Sequence, residues 1–133
     1  MNNTIIQWNC RGLKANYNEM ALLLHTHSPA VTCLQETFLK QTNTVNFTKY
    51  SIYNHINHNN EKASGGSSVV VDNRAPHRSI PLNTSLQAVA VNVTLHRPIT
   101  ICSIYIPPRS DQNHAELFFC WVISMHITSF GAV

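Results

Sequence analysis

At 133 residues, with 44% hydrophobic and 11% charged side chains, the chain holds enough apolar material for one domain with its own core, and its composition is not that of a disordered polyelectrolyte. A net charge of +3 and a pI near 8.8 suit a polyanionic partner without requiring one. Four cysteines (Cys10, Cys33, Cys102, Cys120) form no CxxC pair, and three sit in apolar runs, so the expectation is buried free thiols rather than disulfides or a zinc site. His25/His27 and His55/His58 have no cysteine or acid at ligand spacing, which argues against zinc there too. The start carries no basic-then-apolar signal, so the chain reads as intracellular. The N-x-S/T tripeptides at Asn46, Asn83 and Asn92 are then chance matches.

In chain order, Thr4-Ile5-Ile6-Gln7-Trp8-Asn9-Cys10 is strand-like and finishes on a polar side chain, Asn9. Lys14-Ala15-Asn16 leads into a helix, with Asn16 as the expected N-cap and Glu19 completing a capping box. Tyr17, Met20, Ala21 and Leu24 form its apolar stripe, Leu23 widens it, and Ser28-Pro29 ends it. Val31-Thr32-Cys33-Leu34 is a second strand, closing on Gln35 and Glu36. The unit reads β-α-β, so the two strands should lie parallel with a right-handed crossover and their carboxyl ends side by side. Asn9 and Glu36 would then converge at one rim. A carboxylate beside an amide oxygen suits a hard cation such as Mg²⁺. The alternative is that Glu36 caps a turn.

Residues 41–64 are polar and asparagine-rich, broken by a short strand at 50–53, and 54–62 read as a solvated loop. Gly65-Gly66 opens the β-branched run Ser68-Val69-Val70-Val71, fit for a buried strand. Residues 86–93 and 99–105 alternate, with His96-Arg97-Pro98 as the hairpin turn and Pro107-Pro108 as the stop. Tyr105 closes that last strand, again at a rim. A hydroxyl there could donate to a phosphate oxygen; the alternative, commoner for such a tyrosine, is packing of its ring with a local hydrogen bond. No repeat or linker marks a second domain.

Four segments carry a resemblance. They are Gln7-Trp8-Asn9-Cys10-Arg11-Gly12-Leu13, Cys33-Leu34-Gln35-Glu36-Thr37, Gly65-Gly66 before the valine run, and Ile101-Cys102-Ser103-Ile104-Tyr105-Ile106-Pro107-Pro108. In their order and approximate spacing the chain resembles the endonuclease/exonuclease/phosphatase superfamily. More narrowly, from residue 4 to about 109, it is similar to the AP-endonuclease-like domain that opens the polyprotein of jockey-type non-LTR retrotransposons. The resemblance implies the N-terminal half of a four-layer α/β sandwich (DNase-I-like), with mixed sheets face to face and helices outside. It implies a Mg²⁺-dependent (or Mn²⁺-dependent) nuclease that nicks DNA to prime reverse transcription, in a nuclear or cytoplasmic polyprotein that is also an RNA-directed DNA polymerase. Carried over, Glu36 would bind the metal, Asn9 would help hold metal and phosphate, and Tyr105 would hydrogen-bond the scissile phosphate.

The chain departs from that pattern downstream. The family's Gly-Asp-Phe-Asn-Ala-His motif and its later Ser-Asp-His do not occur in these 133 residues. Reading back-translated codons of residues 119–131 from their third base forces leucine at Cys120, glycine at Trp121-Val122 and alanine at Met125-His126. The shifted frame permits the whole missing motif. The expectation is therefore a partial domain over residues 1–116 and a frameshifted tail over 117–133, without nuclease activity. A membrane anchor in that tail would fall short of the ~20 apolar residues a span needs. The alternatives are a silent nucleic-acid-binding remnant or a phosphatase of the same superfamily. Against tight nucleic-acid binding, Lys14, Lys40, Lys49, Arg74, Arg78, Arg97 and Arg109 are dispersed. A half-sandwich would also leave a sheet's inner face bare and favour self-association through it.

Overall fold

The computed structural model describes residues 2–42, 44–57 and 64–107, and the backbone of one further strand at 117–124. The elements run β1 (Ile5–Asn9), α1 (Tyr17–His27), β2 (Val31–Gln35), β3 (Tyr50–His55), β4 (Ser67–Asp72), β5 (His77–Ile80), β6 (Gln87–Thr94), β7 (Pro98–Ile106) and β8 (Leu117–Ser124). Strand dominates, with one helix among the described residues. One sheet has the order β1-β2-β4-β3 and is mixed; the other, β5-β6-β7-β8, is antiparallel throughout. The resemblance implied that both sheets would be mixed, and the second is not.

β1 and β2 pair in parallel, Asn9 opposite Gln35, as the crossover through α1 requires. α1 buries Met20 and Leu24 against Leu34 of β2 and Val70 of β4, with Leu13 in the same cluster. Its N-terminus differs from expectation. Asn16 makes no side-chain cap; its Nδ2 instead donates to the Cys10 carbonyl at 2.7 Å. The turn after β1 leaves that buried carbonyl facing Asn16, and satisfying it outweighs a cap that water can replace. At the other end Ser28 adopts the left-handed C-cap and its N–H bonds the Leu24 carbonyl at 2.9 Å.

β2 and β4 are buried along their whole length because both their faces are covered. One face meets α1. The other meets the second sheet, where Val31, Cys33, Val69 and Val71 pack against Val89, Val91, Val93 and Ile101. The described residues thus form three layers: helix, mixed sheet, antiparallel sheet. The inner face that was expected to lie bare is covered by this packing.

Two strands were not foreseen. His77-Arg78-Ser79-Ile80 shows no apolar alternation; as β5 it is an edge strand, extended because it pairs with β6. Leu117–Ser124, expected as a displaced tail, pairs in antiparallel register with β7, from Ile106 opposite Leu117 to Ile99 opposite Ser124. That strand crosses the position where the reading frame is expected to shift. Residues 125–133, and 58–63 of the expected loop, lie outside the described residues. Cys10 and Cys33 are buried free thiols and Cys102 is a half-buried one. No helix among the described residues is long and apolar enough to cross a membrane.

Candidate active site at the parallel strand tips

The register that sets Asn9 beside Gln35 leaves Glu36 one residue past the end of β2. There the backbone turns left-handed, with φ of 53° at Glu36 and 56° at Phe38. This ends the alternation of the strand and brings the carboxylate to Asn9, whose Nδ2 donates to Glu36 Oε1 at 2.7 Å. Glu36 is only 8% exposed. Arg11 and Gly12, just past β1, also have positive φ, as do Gly65 and Gly66 before β4. Of the five non-glycine residues in that region of φ among those described, three (Arg11, Glu36 and Phe38) lie at this rim. Clustered strain of this kind persists where the surroundings over-determine it, typically at functional sites.

The surroundings are three backbone segments hydrogen-bonded to one another. Cys10 N–H bonds the Gln35 carbonyl at 3.1 Å, Gly12 N–H the Glu36 carbonyl at 2.8 Å and Leu13 N–H the Thr37 carbonyl at 2.9 Å. From the other side, Glu36 N–H bonds the Gly66 carbonyl at 2.9 Å and Phe38 N–H the Gly65 carbonyl at 3.0 Å. Gly66 also has no room for a side chain: a Cβ there would lie 2.6 Å from Thr37 Oγ1. Cys10, beside Asn9, is buried and its thiol is pushed up to about 11, chiefly by loss of hydration. It stays protonated at neutral pH.

Behind the rim the inner core turns polar. Gln35, Ser67 and Ser103 continue the inward-facing positions of Cys33, Val69 and Ile101, and all three are fully buried. Ser103 Oγ accepts from Gln35 Nε2 at 2.9 Å and donates to the Leu34 carbonyl at 3.0 Å, while Ser67 Oγ donates to Ser103 at 2.8 Å. Tyr105 follows Ser103 by two residues on the same face of β7, is buried, and stands opposite Gln87 in register. Gln87 Oε1 in turn accepts the Gly66 N–H at 2.6 Å. The topology therefore brings β7's end to the rim that holds Asn9 and Glu36.

No family model matches the chain. It is 29% identical over 112 residues to the RNA-directed DNA polymerase from mobile element jockey of Drosophila funebris, a match covering 82% of this chain and 12% of that protein. To the polymerase of the same name in Drosophila melanogaster it is 29% identical over 104 residues, covering 76% and 11%. The chain is a distant homologue of the jockey polymerases. It spans about one-eighth of the length of those curated relatives. Among solved structures, the crystal structure of AP endonuclease LMAP from Leishmania major matches with a TM-score of 0.49 and 18% identity, over 92% of this chain and 39% of that one.

Asn9 and Glu36 form a donor set whose chemistry bears on a divalent cation. Asn9 Oδ1 is buried and has no hydrogen-bond partner, and it belongs to the residue that touches the Glu36 carboxylate. One carboxylate, one amide oxygen and retained waters match what Mg²⁺ takes from proteins. A buried acceptor without a partner also calls for an ion or water to satisfy it. The residues fit. Among the described residues there is no group of three or more His, Cys, Asp or Glu side chains able to hold a metal.

Reading the sequence missed Gln87, Ser67 and Ser103. Ser103 had a signal: it is the polar residue in an otherwise apolar inward-facing series with Ile101 and Tyr105. Gln87 had none, because nothing in sequence links it to Gly66.

Proposed function

We propose that the chain belongs to the endonuclease part of a jockey-type retrotransposon polyprotein, in which a Mg²⁺ ion held by Glu36 and Asn9 serves hydrolysis of a DNA phosphodiester. The observation that carries this reading is the half-buried hydrogen bond between the tips of two parallel strands, Asn9 Nδ2 to Glu36 Oε1 at 2.7 Å. When bound, such an ion polarises the phosphoryl oxygen and stabilises charge on the leaving oxygen. Glu36 supplies the charge that holds the cation. Asn9 fixes the carboxylate's orientation through its amide N–H and offers Oδ1 to the metal or the phosphate. Tyr105 is assigned to the scissile phosphate, as a donor at the end of β7.

On this reading the 133 residues do not turn over. The Asp and Asn of Gly-Asp-Phe-Asn-Ala-His, which would orient the attacking water and the phosphate, and the later Ser-Asp-His are absent from them, and losing general acid–base groups costs about 10²–10⁴ in rate. The frame shift before Cys120, with a partial domain over residues 1–116 and a displaced tail over 117–133, belongs to the same proposal. Sequencing the encoding DNA tests it: a shifted frame that does not spell the missing motif removes it.

The activity claim is tested on supercoiled plasmid with Mg²⁺. No nicking above buffer is expected, and turnover abolished by Glu36→Ala would contradict the claim of inactivity while supporting the site. A mobility shift whose strength falls with salt in the wild type and in Glu36→Ala alike would favour a nucleic-acid-binding remnant instead.

A further inference from the structure

We propose that Gln87 and Ser103, both on the antiparallel sheet, are positioning residues that hold Glu36 in the left-handed conformation in which it meets Asn9. This rests on the reading of Asn9 and Glu36 as a cation site, and it assigns a purpose to the second sheet at that site.

The link through Gln87 is a relay of hydrogen bonds. Its Oε1 accepts the Gly66 N–H at 2.6 Å; the Gly66 carbonyl accepts the Glu36 N–H at 2.9 Å, and the Gly65 carbonyl accepts the Phe38 N–H at 3.0 Å. Both donating residues, Glu36 and Phe38, are the ones with left-handed backbones after β2. The fit leaves no slack: a Cβ on Gly65 would collide with Gln87 Oε1. Ser103 acts from behind. It takes the Gln35 amide at 2.9 Å and bonds the Leu34 carbonyl at 3.0 Å, fixing the two residues before Glu36. A non-glycine residue in the left-handed region needs such over-determination. Outer residues that orient a metal ligand are typically worth about 10–100-fold in metal affinity.

Gln87 also pairs with Tyr105 in register. One residue therefore ties the loop that sets Glu36, through its side chain, to the strand that carries Tyr105, through its backbone pairing, and fixes the spacing between the proposed metal ligand and the proposed phosphate donor.

The test compares wild type, Gln87→Leu, which removes the acceptor at similar volume, and Gln87→Glu, which keeps it. Two readouts are taken: amide hydrogen exchange at Glu36 and Phe38, and Mn²⁺ affinity from water-proton relaxation. In Gln87→Leu exchange at both amides is expected to accelerate about tenfold or more, with Val91 and Ile101 unchanged, and Mn²⁺ to bind about tenfold more weakly. Gln87→Glu should restore both. Unchanged exchange at Glu36 in a folded Gln87→Leu protein overturns the proposal, and so does loss of Mn²⁺ affinity that Gln87→Glu fails to restore. If Gln87→Leu does not fold, Ser103→Ala carries the same test: faster exchange at Glu36 supports the proposal and unchanged exchange overturns it. A wild type without Glu36-dependent Mn²⁺ binding, but with exchange that answers to Gln87, would end the cation reading and leave the positioning role standing.

Discussion

Glu36 is held in a conformation that costs roughly 1–3 kcal/mol for a non-glycine residue, and the backbone bonds from Gly12 and to Gly66 offset that cost. The glycine is as constrained as the acid. Gly66 has φ of 93° and no space for a Cβ between Thr37 Oγ1 and the His55 carbonyl. Gly66→Ala should therefore destabilise by roughly 2 kcal/mol or more, read as a lower urea midpoint at unchanged slope. Cys10 supplies a pH prediction. Its folded-state value of about 11 lies above the ordinary 9.0, so the unfolded chain loses the thiol proton first. Its contribution is complete below pH 9.0 and fades as pH rises through about 11, by roughly 2–3 kcal/mol in the limit of full linkage. Cys10→Ala should flatten that alkaline limb in thermal unfolding. An equal loss of stability in both proteins would refute the assignment.

Asn16 separates two views of how α1 begins. As a cap it would tolerate Asp, which is among the best N-cap residues. As the donor to the Cys10 carbonyl it would not, because a carboxylate has no N–H to give. Asn16→Asp and Asn16→Ala should both cost about 1 kcal/mol; a stabilising Asn16→Asp would restore the cap. The strands with strong apolar patterns were legible in sequence. β1, β2 and β4 showed as apolar runs, and β6 and β7 as alternating ones, because burial writes directly into side-chain type. β5 was not legible, since an exposed edge takes its shape from its neighbour. The Asn9–Glu36 meeting could be anticipated from β-α-β geometry alone. The left-handed turn that completes it could not, for neither Glu36 nor Phe38 is a residue that favours such a backbone.

At the scale of the whole molecule, the two sheets share one core, and Ile101 lies fully buried within it. Ile101→Ala should cost roughly 2–5 kcal/mol in chemical denaturation, and much less if the second sheet were loosely attached. Acid acts on another joint. Asp72, at the end of β4, accepts from the Arg74 guanidinium at 2.7 Å and from its backbone N–H at 2.9 Å, with the guanidinium bond the main cause holding its carboxyl below the ordinary 3.8. A carboxyl so depressed contributes stability above pH 3.8 that is lost as pH falls further, so Asp72→Asn should blunt unfolding in that acid range.

The distant homology to the jockey polymerases gives these joints a purpose only if the rim holds a cation. The most direct measurement is a Mn²⁺ titration, followed by water-proton relaxation, of the wild type against Glu36→Gln. A single site in the wild type that weakens at least about tenfold in the folded variant is the predicted result. Equal binding by the two proteins, or none by either, would contradict the account.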